Sequence, residues 1–111
     1  RKEQCVLYDQ LLCEVDVQRI KVQGDCAFNY AYYPILFENE EVTLKIKAAL
    51  EANNIYPRRY FYPSLSTLDY VSKKITPISD NCASRILCLP LYFELLETNQ
   101  EQVTEIIISQ L

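Results

Sequence analysis

Histidine is absent from this 111-residue chain. That removes the usual general base near neutral pH and the commonest metal ligand, so a Ser-His-Asp or Cys-His centre within the chain is excluded. Gly24 is the one glycine, which rules out a Gly-rich phosphate loop. No apolar run approaches the ~20 residues that span a bilayer, and nothing at the N-terminus reads as a signal peptide. Methionine is also missing, and the chain opens on Arg1, so a processed or excised piece of a longer protein is expected. Left to itself, such a chain has little with which to do chemistry.

Cysteine is present but in an unpromising pattern. Cys5, Cys13, Cys26, Cys82 and Cys88 are odd in number and contain no Cys-x-x-Cys pair, which argues against a disulfide framework and against a zinc site. Buried, reduced thiols in a cytoplasmic protein are the expectation. The net charge of −4 argues against nucleic acid as the main partner, because phosphate backbones need a basic surface.

The most informative stretch runs from Tyr56 to Leu65, Tyr-Pro-Arg-Arg-Tyr-Phe-Tyr-Pro-Ser-Leu. Arginine offers a rigid fork of donors matched to phosphate or carboxylate. Tyrosine offers a flat apolar face with a hydroxyl at its tip. Prolines at both ends restrict the backbone and present these side chains from a defined segment. Two readings stand side by side: an anion-and-ring site, or a Tyr-rich strand whose arginines pair with some of the 15 acidic residues. In a strand Arg58 and Arg59 point to opposite faces, so one ligand does not reach both, whereas Tyr60 and Tyr62 share a face.

Around this segment the pattern alternates between helix and strand. Residues 1 to about 17 carry Cys5, Tyr8, Leu12 and Val15 on one stripe and read as a helix ending before a turn at Gln23-Gly24-Asp25. Asn29 to Phe37 alternates as a strand, and Pro34 within it predicts an edge position or a bulge. Asn39 is placed to cap a helix with Glu40 and Glu41 in its first turn and Val42, Ile46, Ala49 and Leu50 on its apolar stripe. Glu41 and Lys45 are spaced as a surface pair, and Asn53-Asn54 supplies a left-handed exit. After an irregular stretch, Pro77 and Ser79 introduce a short helix over Asp80 to Arg85, and Ile86 to Leu91 is an apolar strand. Thr98-x-x-Glu101 reads as a capping box for a last helix whose stripe is Val103, Ile106, Ile107 and Leu111. The expected fold is α+β: a small, mainly antiparallel sheet of about three strands with helices packed on it.

Three spans in this order resemble the C-terminal small domain of the DegT/DnrJ/StrS family of PLP-dependent sugar aminotransferases. They are Asn29 to Phe37 with the acidic-capped helix after it, Asn54 to Leu65, and Arg85 to Leu91 with the terminal helix. Tyr8-Asp9 in the first helix is similar to the family's interdomain helix. The resemblance implies an interdomain-type helix and turn over 1–24 and a small domain over 25–111, in the fold-type-I aminotransferase architecture. It implies a parent enzyme that moves an amino group, usually from glutamate, to a dTDP-linked 3- or 4-keto-6-deoxyhexose. It further implies PLP held mainly by a large domain outside this chain, and a homodimer. The family's Schiff-base lysine lies near a Ser-x-His-x-x-Lys pattern; none of Lys2, Lys21, Lys45, Lys47, Lys73 and Lys74 has that context, so no catalytic or PLP-binding residue is assigned here and the chain alone is expected to be inactive.

On this resemblance the candidate substrate-binding residues are Arg58, Arg59, Tyr60, Tyr62, Asn29 and Tyr30, with the arginines facing a nucleotide diphosphate or sugar. Many family members carry Gly where Asn54 stands and a histidine shortly after the second proline, where this chain has Ser64 to Thr67. The competing reading is a free-standing α+β module that binds a small anionic ligand. The two differ over the first helix: an excised domain is expected to expose it as an apolar patch, and a free-standing module to bury it.

Overall fold

The computed structural model describes residues 1–60, 62–72 and 75–111. Phe61 of the arginine-aromatic segment, and Lys73 and Lys74, lie outside the described residues. The elements are α1 (Lys2–Leu11), β1 (Gln18–Arg19), β2 (Tyr33–Leu36), α2 (Glu40–Ala52), β3 (Arg58–Arg59), a single 3-10 turn (Leu65–Thr67), α3 (Pro77–Arg85), β4 (Ile86–Leu89) and α4 (Glu97–Gln110). The α+β class is as expected. The sheet has four strands rather than three, in the order β1-β2-β4-β3, with every pairing antiparallel.

The core lies on one face of this sheet. Tyr33, Ile35, Leu87 and Leu89 of β2 and β4, with Phe37 just after β2, pack onto Cys5, Tyr8 and Leu12 of the first helix and its end, Ile46 and Leu50 of α2, and Val103 and Ile107 of α4. Period-2 alternation in the strands meets period-3.6 stripes in the helices, and this produces a two-layer sandwich. Pro34, Leu36, Ile86 and Cys88 point to the second face, which α3 and the connecting segments border.

α2 follows its sequence closely. The Asn39 side chain accepts a hydrogen bond from the Val42 amide at 2.9 Å, supplying a partner for one orphan N–H of the first turn. At the far end Asn54 takes φ 61°, while Ile55 donates to the Leu50 carbonyl and Asn54 to that of Glu51. Those two bonds make a Schellman ending, with Ile55 packed against the core beside Leu50. The ion pair on the helix is Lys47–Glu51; Lys45 donates instead to the Gln110 carbonyl at 3.4 Å, so the Glu41–Lys45 pair does not form.

Four expectations are corrected. The first helix stops at Leu11, because Val15 and Val17 turn in against the core and residues 18–19 join the edge of β2. The β-branched pair favours extended backbone once a strand edge is there to receive it. Pro34 sits in an interior strand without a bulge. Phe37 donates to the Arg85 carbonyl, so odd residues of β2 face β4 and Pro34 faces β1, whose ladder has already ended at Ile35. The missing N–H therefore costs no ladder bond. Third, α4 begins at Glu97 after Leu96 and has no side-chain cap, so Thr98 lies inside the first turn and the capping box does not close. Finally, α1 is not an exposed patch. Its stripe is buried, Tyr8 stacks on Tyr33 with ring centres 4.8 Å apart, and the Gln100 amide donates to the Gln4 carbonyl to tie α4 to it. The large exposed apolar side chains include Leu65, Tyr70, Ile75, Ile78 and Phe93.

Candidate functional site

β3 is only two residues long, yet it decides what its two arginines can do. Arg58 pairs with Cys88 and Arg59 with Leu87, so their side chains leave opposite faces of the sheet. Arg59 goes toward the helices. Its Nη2 donates to the Ser84 carbonyl at 3.0 Å and to Glu40 Oε1 at 3.4 Å, and its guanidinium lies 3.5 Å from the centre of the Tyr62 ring. It holds the carbonyl end of α3, where a cation is favourable, against the acidic start of α2. Only 16% of its side chain is exposed, and Nε is buried with no hydrogen-bond partner among the described residues.

Arg58 goes the other way, into a cleft of about 370 Å³ that it shares with Arg1, Ala31, Tyr32, Tyr56 and Pro90, among others. Cys88 forms part of the same wall; burial pushes its thiol up to about 11, with the Arg58 charge opposing, so it is a thiol rather than a thiolate near neutral pH. Tyr32 meets Tyr60 edge to face at 5.7 Å, and Tyr60 in turn lines a second, largely apolar groove of about 620 Å³ with Leu65, Leu36, Ile86 and Cys82. The two openings therefore adjoin along one sheet face, an arginine-bearing cleft beside an apolar groove.

Asn29 and Tyr30 shape the approach to this cleft rather than line it. The Asn29 carboxamide accepts from the Ala31 amide at 3.0 Å, and Tyr30 holds φ 55°, a conformation disfavoured for a bulky side chain. Tyr30 tolerates it because its ring packs on the core and, edge to face, on Phe28 at 4.9 Å. This tight turn delivers Ala31 and Tyr32 to the cleft. Of the six candidates, then, the structure brings Arg58 and Tyr60 to the two openings, couples Arg59 to Tyr62, and uses Asn29 and Tyr30 in the turn. Arg1, Tyr32 and Tyr56 join Arg58 without having been singled out. Tyr56 precedes Pro57 in the flagged segment, but Arg1 carries no local sequence signal.

Charge is distributed unevenly among the arginines. Asp9 takes Arg19 at 3.0 Å and Glu40 takes Arg59, but among the described residues neither Arg1 nor Arg58 has a carboxylate partner, and no acidic side chain lines their cleft. The Asp9–Arg19 pair belongs to the core: Tyr33 donates to Asp9 at 2.7 Å, Arg19 lies 3.7 Å from the Tyr33 ring centre, and burial raises the Tyr33 hydroxyl well above its usual range. Near the apolar groove, Asp80 accepts from Ser66 at 2.6 Å and Thr76 at 3.0 Å, and hydroxyls of Ser64 and Ser66 hold its carboxyl below the usual carboxylate range. Among the described residues no group of three or more Cys, Asp or Glu could hold a metal ion, and no helix is long and apolar enough to cross a membrane.

The cysteines divide rather than sharing one environment. Cys5 and Cys88 are buried, Cys82 is half-buried, and Cys13 and Cys26 are exposed, which corrects the expectation of uniformly buried thiols.

The sequence pattern of the DegT/DnrJ/EryC1/StrS aminotransferase family matches residues 1–108. The chain belongs to this family. It is 32% identical over 91 residues to the dTDP-4-amino-4,6-dideoxy-D-glucose transaminase of Escherichia coli, a match that covers 75% of this chain and 24% of that protein. The DegT DnrJ EryC1 StrS aminotransferase structure from Brucella abortus superposes with a TM-score of 0.79 at 26% identity, over 97% of this chain and 29% of that one. The aminotransferase TlmJ from Streptoalloteichus hindustanus shares the fold with a TM-score of 0.86 at 22% identity, over 98% of this chain and 30% of that one. The chain thus spans about a quarter to a third of the length of these relatives.

Family aminotransferases are PLP-dependent, and among the described residues no lysine is placed at the cleft to form that group's Schiff base. Lys2 and Lys21 are exposed, Lys45 donates to Gln110, Lys47 pairs with Glu51, and none of these four lines the Arg58 cleft. What the family member described here offers at its cleft is charge and ring surface.

Proposed function

We propose that this chain is the C-terminal small domain of an aminotransferase that moves an amino group from a donor such as glutamate to a dTDP-linked 3- or 4-keto-6-deoxyhexose. Residues 1–24 are its interdomain-type helix and turn, and 25–111 its small domain. A large domain carrying the lysine and PLP faces the cleft, and a second subunit completes a homodimer in the cytoplasm. The observation that carries this reading is Arg58: an arginine with no carboxylate partner among the described residues, lining a cleft with Tyr32 and Tyr56, in a chain of net charge −4. An acidic protein that leaves such a charge uncompensated has a place ready for an anion. The relative that acts on a dTDP-sugar supports the substrate class.

In this arrangement Arg58 meets the nucleotide-sugar's phosphates, and Tyr60 and Tyr32 border the path of the sugar toward the apolar groove. The remaining candidates support them: Arg59 with Tyr62 fixes the strand, and Asn29 with Tyr30 fixes the turn. The test is kinetic. In the full-length, PLP-loaded enzyme, Arg58→Ala is expected to raise KM for the nucleotide sugar by about tenfold or more, the cost of a charge-assisted contact, while leaving KM for the amino donor nearly unchanged. Equal losses for both substrates would count against diphosphate contact, and absence of transamination in the wild type would sink the enzymatic reading.

The burial of α1 on its own sheet is the outcome expected of a free-standing anion-binding module, and it favours that second reading on this one point. That second reading predicts anion binding by the 111 residues with no transaminase activity in the full-length protein.

A further inference from the structure

We infer that Arg1 and Arg58 act together as a clamp for a diphosphate group, so that the anion site is built from the start of α1 and from β3 rather than from the adjacent pair Arg58-Arg59. The inference rests on the nucleotide-sugar reading above and assigns its phosphate-binding residues.

The chain has five arginines: Arg1, Arg19, Arg58, Arg59 and Arg85. Three are committed inside the fold. Arg19 bonds Asp9 and the Pro34 carbonyl, Arg59 bonds Ser84 and Glu40, and Arg85 bonds Asn81 Oδ1 and the Phe37 carbonyl, each at 2.8 Å. The two that remain converge on one cleft. Arg1 is steadied there by a single bond from Nη1 to the Ala31 carbonyl at 3.1 Å, which leaves the rest of its five-donor fork for a ligand. Ala31 is itself fixed by the Asn29 turn. Arg58 is fixed by its pairing with Cys88 on β4. The Arg1 guanidinium is therefore held by ordered backbone, and Arg58 projects from a paired strand, before any ligand arrives, which lowers the entropy lost on binding.

The chemistry of the wall selects the ligand class. Two guanidiniums in one cleft, with no acidic side chain lining it among the described residues, repel each other unless an anion lies between them. A single phosphoryl group satisfies one bidentate fork well, whereas two linked phosphoryl groups offer each arginine its own pair of oxygens. Pro90 and Leu91 also border the cleft. Tyr56, 71% exposed at the rim, offers a ring face on which a nucleobase can stack. A nucleoside diphosphate fits all of these features.

The test is binding to the 111-residue chain, followed by calorimetry and by amide chemical shifts, with inorganic pyrophosphate, dTDP, inorganic phosphate and pyridoxal phosphate as probes. Pyrophosphate and dTDP are expected to bind more tightly than either monophosphate, with affinity falling as salt rises. Arg1→Gln and Arg58→Gln, both at exposed positions, are each expected to weaken pyrophosphate about tenfold, and the double variant to abolish binding. Lys21→Gln, outside the cleft, is expected to change nothing. Circular dichroism of each variant separates lost binding from lost folding. The clamp is overturned if Arg1→Gln binds pyrophosphate as the wild type does, if the monophosphates bind as well as pyrophosphate, or if pyrophosphate does not bind at all. Because turnover is not measured, an enzyme found inactive in transamination would refute the activity without touching this result.

Discussion

Arg59 stacks over Tyr62 at 3.5 Å while its sequence neighbour Arg58 opens into a cleft on the other side of the sheet. One residue of register separates an arginine bonded inside the fold from one that lines a cleft. Arg59→Ala removes the bond to Ser84, the contact with Glu40 and the ring contact, and is expected to cost about 2 kcal/mol of stability. Arg58→Ala is expected to stay within about 0.5 kcal/mol of wild type, as exposed positions usually do. Urea denaturation of the two variants measures the difference, and equal losses would contradict the division of roles.

Tyr33 joins the sheet to α1 through its hydroxyl as well as its ring. Its bond to Asp9 is charge-assisted, so Tyr33→Phe is expected to lower stability by roughly 1–2 kcal/mol while preserving the ring packing on Tyr8. A double-mutant cycle with Asp9→Asn reads the coupling directly. An independent, additive pair would show that the hydrogen bond contributes nothing of its own.

Alkaline pH is expected to unfold the chain progressively. Burial raises the Cys88 thiol from an ordinary value near 9.0 to about 11 and lifts the hydroxyls of Tyr8 and Tyr33 well above 10.0. These groups keep their protons in the folded state at pH values where the unfolded chain has lost them. Their stabilising contribution is thus complete below pH 9 and declines as pH rises through 11. Denaturation midpoints at pH 8 and pH 10.5 are expected to differ in that direction, and Cys88→Ala to flatten the first part of the decline.

Asn54 closes α2 in a left-handed conformation that only Gly and Asn adopt at low cost. Asn54→Gly is expected to leave the melting temperature nearly unchanged. Asn54→Ala is expected to cost about 1 kcal/mol, the penalty of placing a Cβ in that region. Matching melting curves for the two variants would show that the turn relaxes elsewhere.

Much of the fold was legible in local chemistry. Asn39 at the start of α2 and Asn54 at its end carry their own instructions in side-chain reach and backbone tolerance. Pro77 opens α3, and the apolar run from Ile86 forms β4. Local chemistry failed where a distant partner changed the outcome. Val15 to Arg19 left the helix because β2 offers an edge; Thr98 did not cap α4 because the helix already begins at Glu97. Gln100, fully buried and bonded to the Gln4 carbonyl, had no local mark at all.

The site divides the same way. The segment from Tyr56 to Leu65 announced an arginine-and-ring surface, and alternation along a strand already implied that its two arginines part company. By itself the sequence determined the family, the α+β class and the absence of any histidine-based centre within these 111 residues, because these depend on which residues are present and in what order. Only the tertiary structure decided which arginine meets Glu40 and which meets the cleft, and that Arg1 stands beside Arg58. Those choices depend on antiparallel register and on α1 folding back over the sheet, and both are set by contacts between residues far apart in the chain.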